Sequence, residues 1–172
     1  VPYTQLYGGF AGDEVHRDER NWHTHPTILS GDIDNTEDLS DGDAYHVVVA
    51  IGQTGYPLDQ NTVMDGFTVV GGNSNGSHGS NITVSGHTLD RNFGGGIASL
   101  YAAPVLSNLK VIGNNAYNGG GIYNFSAAPQ VHHVIVADNM GYNGGGMFNQ
   151  SSASKVVNSE ITGNDAASGG GV

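Results

Sequence analysis

Six carboxylates fall between residues 32 and 43: Asp32, Asp34, Glu37, Asp38, Asp41 and Asp43, with Asn35 and Gly42 among them. Carboxylate oxygens are the ligands a hard cation such as Ca²⁺ selects. Asp32, Asp34, Asp38, Asp41 and Asp43 are therefore the candidate metal ligands, and calcium the candidate cofactor. Asp32-x-Asp34 opens as a calcium loop does, but no bidentate Glu follows at the spacing an EF-hand needs. A solvated acidic loop over residues 32–44 is the alternative. A second polar stretch holds His78, His87, Asp90 and Arg91. An imidazole beside a carboxylate can do acid–base work on a sugar, and a guanidinium can clamp a uronate carboxylate; the alternative is a polar surface loop. His23 and His25, beside Trp22, fall on one side of an extended chain, but two ligands do not make a metal site. His132 and His133 are adjacent on a strand and face opposite ways, so they cannot chelate one ion. There is no cysteine nucleophile and no Gly-x-Ser-x-Gly elbow, and no Lys-Ser/Thr follows a glycine run as a phosphate loop requires.

The elements that would hold these residues announce themselves by repetition. Glycine triplets begin at Gly94, Gly119, Gly144 and Gly169, a constant spacing of 25. Ile97, Ile122, Met147 and Val172 keep the same phase, as do Val111, Val136 and Ile161, and Asn114, Asn139 and Asn164. A fixed period of this length marks a solenoid; a flexible glycine linker carries no register. The apolar runs are short, β-branched and punctuated by Gly, Asn and Pro, which predicts short strands and turns. Wound as coils of a parallel β-helix, they stack at about 4.8 Å. Ile97, Ile122 and Met147 then point inward, as do Leu106, Val131 and Val156. The asparagines ladder at a corner, and one of His132 and His133 replaces Asn108 and Asn158 in a polar column. Ala98, Tyr123 and Phe148 form an outward column, so Tyr123 and Phe148 are the candidate aromatic platform for sugar rings; ordinary stacking along the solenoid is the alternative. Upstream, TVMDGFTVVGG matches LSNLKVIGNNA with Phe67 where Leu109 sits, an offset of 42. One coil thus carries extra residues, and these lie in a loop inserted at 73–93. YHVVVAIG and TILSGDI read as strands of earlier coils. The fold class is all-β, a single right-handed β-helix domain over 1–172 with about six coils.

Composition narrows the function. The chain has 28 Gly in 172 residues, five Lys and Arg together, and a net charge of -11. Five basic residues make no nucleic-acid footprint, and an acidic surface disfavours anionic membranes. No apolar run is long enough to span a bilayer. The chain opens on VPYTQLYGGF without a leader and stops at GGGV as another repeat begins, so the array is expected to be a piece of a longer one. The open strand edges of its last coil predict fraying or end-to-end self-association, with the N-terminal segment around RDER as the better cap.

LYGGFAGDE, RDERNW, TILSGDI, MDGFTVVGG and the repeated GGGIYN…AP…ADN together resemble secreted bacterial right-handed β-helix proteins. These are the pectate-lyase-like (pectin lyase-like) domains found upstream of choice-of-anchor modules, and the repeats are similar to those of polymorphic outer-membrane proteins. The resemblance spans essentially the whole chain, apart from the anchor. It implies a secreted or cell-surface life and a polysaccharide or surface glycan as partner. In lyases of this class a basic residue abstracts the proton α to a carboxylate with Ca²⁺ assistance. Arg91 and Lys110, beside Lys155, are the basic residues of the second half that match that role. The expected function is a non-catalytic module that binds glycan or mediates adhesion through a lateral face. The alternative is a Ca²⁺-assisted polysaccharide lyase or glycoside hydrolase using His87, Asp90, Arg91 and Lys110. The low basic content, and the lack of a paired-carboxylate motif on a strand face, favour the first.

Overall fold

A computed structural model describes residues 4–36, 39, 42–53 and 58–172. Its strands wind as a parallel β-helix. The first turn holds β1 (Gln5–Tyr7), β2 (Thr27–Ser30) and β3 (Val48–Ile51), with a 3₁₀ turn at Arg17–Glu19. The second holds β4 (Val63–Asp65), β5 (Phe67–Val70) and β6 (Asn73–Ser74). It then leaves the coil for a hairpin, β7 (Asn81–Val84) and β8 (His87–Asp90), and closes with β9 (Ile97–Leu100). The third turn is β10 (Val105–Ser107), β11 (Lys110–Ile112), β12 (Asn115–Asn118) and β13 (Ile122–Phe125). The fourth is β14 (Gln130–His132), β15 (Ile135–Ala137), β16 (Met140–Asn143) and β17 (Met147–Gln150), and the fifth is β18 (Lys155–Val157), β19 (Glu160–Thr162) and β20 (Asp165–Ser168). The described strands thus make five turns rather than about six, because the long connections of the first turn use up Gln5–Ile51.

Equivalent strands pair in parallel across turns to give four sheets. In order around the coil they are β1-β4-β10-β14-β18, β2-β5-β11-β15-β19, β6-β12-β16-β20 and β3-β9-β13-β17. The registers follow the repeat: Ile97, Ile122 and Met147 are aligned, and Val69, Val111, Val136 and Ile161 are aligned. Ile97, Ile122, Val111, Val136 and Met147 have no exposed surface and form the continuous core. Leu106 and Val131 are buried too, while Val156, on the outermost strand of the first sheet, is 41% exposed.

The corners explain the invariant residues. The first glycine of each triplet has positive φ, from 58° to 71°, which only glycine adopts cheaply. The third approaches the next coil: a Cβ on Gly96 would lie 2.6 Å from the Gly121 carbonyl oxygen. At the asparagine corner the side chains bond each other and the neighbouring backbone. Asn139 Oδ1 accepts from Asn114 N at 3.0 Å, and Asn139 Nδ2 donates to Val111 O at 2.9 Å. Asn108, His133 and Asn158 share another corner with φ of 52°, 55° and 49°. His133 therefore takes the asparagine position, a conformation that Asn, Asp and His tolerate better than most.

The insertion is a β-hairpin rather than a loop. Ser85 and Gly86, both at positive φ, turn β7 into β8, as two-residue hairpin turns require. Leu89, 1% exposed, packs on Ala98, Leu100 and Tyr123 with Phe93 and Phe148 beside them, a second core outside the coil.

Candidate functional site

The third sheet carries the most developed surface feature. Along β12 and β16 the residues alternate, so Tyr117 and Tyr142 project outward at the same register while Ala116 and Asn118 turn in. The tyrosines are 47% and 53% exposed. Their rings stack with centroids 4.8 Å apart and planes 7° from parallel. They border a groove of about 680 Å³ lined by Ser74, Asn75, Gly76, His78, Asn92 and Asn115 together with Met140. One wall is the root of the hairpin. It is pinned there because Ser74 Oγ donates to Arg91 O at 2.7 Å and Tyr117 N donates to Asn92 O at 2.8 Å. Asn92 is 6% exposed, and its Oδ1 is buried without a hydrogen-bond partner. Asp90 accepts from Gly79 N at 3.0 Å and lies 3.6 Å from the exposed His78 ring. An aromatic edge beside amides is chemistry suited to sugar rings and hydroxyls. The spacing of 117 and 142 is the repeat period, so the sequence carries this pair as plainly as it carries Tyr123 and Phe148.

The expected platform of Tyr123 and Phe148 is corrected. The two rings do stack, 6° from parallel at 6.1 Å, but Tyr123 is only 3% exposed and Phe148 is half-buried. The hairpin lies over this column, Phe93 meets the Tyr123 ring at 5.1 Å, and Tyr123 Oη donates to Gln150 Oε1 at 2.8 Å. Burial pushes the Tyr123 phenol up to about 12. Ala98, in the same column, is wholly buried.

The other candidates do not gather at one point. His87 lies against Tyr101 with ring centroids 4.2 Å apart and planes tilted by 31°, Asp90 pairs with His78, and the Arg91 guanidinium lies 5.3 Å from the Tyr45 ring. Lys110 is exposed on β11 in the second sheet, aligned with Thr68 and Ile135. His23 and His133 line a separate open cleft of about 630 Å³ with Trp22 and Glu160. The neighbouring Arg20 ties the N-terminal segment to the coil: it bonds Asp65 at 2.7 Å and the Gly8 carbonyl at 2.9 Å.

Of the acidic run, one ligating oxygen from each of Asp32, Asp34 and Asp43 lies within 4.8 Å of the others. Asp38 and Asp41 lie outside the described residues. Asp32 accepts from Asn35 N at 2.6 Å, and Asp34 accepts from Thr36 Oγ1 at 2.8 Å, which fixes both carboxyls on the loop. Three carboxylates with no soft donor among them fit Ca²⁺ rather than a thiolate- or imidazole-seeking metal.

Comparison with protein-family models, with curated proteins and with solved structures finds no match to this chain.

Proposed function

We propose that this β-helix is an extracellular or cell-surface module that binds glycan through the outer face of its third sheet. The observation that carries the reading is the exposed, parallel Tyr117–Tyr142 stack beside the amide-lined groove. Exposed aromatic area next to convergent hydrogen-bonding groups is what concave ligand sites present. The resemblance to secreted pectate-lyase-like β-helix proteins points the same way, as an analogy of fold. Dispersal of His87, Asp90, Arg91 and Lys110 favours binding over lyase or hydrolase chemistry, since a general base must reach the proton it removes. Calcium enters this proposal as a structural ion that Asp32, Asp34 and Asp43 would hold, stiffening the N-terminal loop.

A polysaccharide screen with and without EDTA tests the reading, scoring both retention and newly formed reducing or unsaturated ends. Retention without product is expected. Turnover of any polysaccharide would instead make the protein an enzyme.

A further inference from the structure

Resting on the glycan reading of the third-sheet groove, we infer that the groove takes an uncharged polysaccharide and rejects polyuronates. None of the five basic residues turns its charge into the groove's lining. Arg17 pairs with Asp18 at 3.3 Å, and Arg20 is committed to Asp65. Arg91 is turned to Tyr45, and Lys110 and Lys155 lie on β11 and β18 of other sheets. None of them lines the groove. Two carboxylates flank it, Asp90 behind His78 and Asp165 at the register position next to Met140, while Arg91, whose backbone is pinned to Ser74, turns its guanidinium away to the Tyr45 ring. A uronate carboxylate would meet no Lys or Arg among the lining residues, on a chain of net charge -11. Neutral hydroxyls meet the opposite situation. The exposed Asn75 amide offers both donors and an acceptor, as hydroxyls do, and Asn115 beside it already donates to Asn73 Oδ1 at 3.1 Å. The outward surface of the tyrosine stack takes the apolar face of a sugar ring without reference to charge.

The test is titration calorimetry of the full chain near pH ~8, above the ordinary range of histidine ionisation. The neutral probes are cello-, manno- and chito-oligosaccharides; the anionic ones are oligogalacturonate and oligoalginate. At least one neutral oligosaccharide should bind, and Tyr142→Ala should weaken it roughly tenfold with the melting temperature kept. That affinity should hold as salt shrinks the Debye length from about 30 Å to about 3 Å. The uronates should not bind the native chain, and Met140→Lys should admit them. Uronate binding that Tyr142→Ala abolishes would overturn the charge inference while keeping the glycan site. If no probe binds, or only uronates bind and Tyr142→Ala leaves them unchanged, both fall.

Discussion

Asn139 shows how one side chain specifies a corner. It accepts from Asn114 N and donates to Val111 O on the preceding coil, and its own N–H donates to Asn164 Oδ1 at 3.0 Å on the next. Asn139→Ala leaves the buried Asn114 N–H without that acceptor, and an unsatisfied buried group costs about 1–3 kcal/mol; denaturant unfolding should show a loss of that size. His46 makes a pH prediction. Its Nδ1 sits 3.0 Å from Gly94 O, and burial holds its pKa below the ordinary 6.5, with backbone bonds partly opposing the shift. The unfolded chain therefore takes up a proton first as pH falls. Stability from this residue is present above 6.5 and is lost below it, towards the depressed folded value. Melting temperatures between roughly pH 8 and pH 5 should fall more steeply for the native chain than for His46→Gln; parallel slopes would remove His46 from the account. Asp32, Asp34 and Asp43 give a third prediction. Calcium binds only the folded loop that gathers them, so millimolar calcium should raise the melting temperature relative to EDTA. Replacing Asp32 and Asp34 by Asn should abolish the rise, and an unchanged melting temperature would leave the cluster as solvated charge.

At the scale of elements, the repeat was legible because every coil solves the same steric problem. The glycine triplets, the asparagine corner and the inward Ile122 and Val136 follow from period and residue type alone, and the offset of 42 located the insertion. Where the insertion folds back was not legible. NITVSGHTLD has the alternation and the Ser-Gly turn of a hairpin, but nothing local says which sheet Leu89 will cover. The choice between two equally periodic aromatic pairs depended on that: Leu89 and Phe93 bury Tyr123, and Tyr117 and Tyr142 stay in solvent. Leu89→Ala tests the packing. Deleting a buried leucine side chain costs about 2–5 kcal/mol, here drawn from the hairpin's hold on the fourth sheet. The Tyr123 phenol, now at about 12, should then titrate closer to its ordinary 10.0. A phenol that still titrates near 12, seen by alkaline absorbance, would mean that the coil and not the hairpin buries it.

Over the whole molecule, one apolar core runs through the turns and the hairpin adds a second outside them. The hairpin thereby gives the solenoid unlike faces, closing the fourth sheet and walling one side of a groove on the third. A rigid scaffold with one developed face is suited to recognition, which is how other solenoids use their surfaces. The stacked tyrosines are too exposed to be needed for folding, so removing them separates binding from stability. The decisive measurement is the affinity of the Tyr117→Ala/Tyr142→Ala double variant for a glycan that the native chain binds. The account predicts that binding is lost while the melting temperature stays within a few degrees; undiminished binding would place the site elsewhere and contradict it.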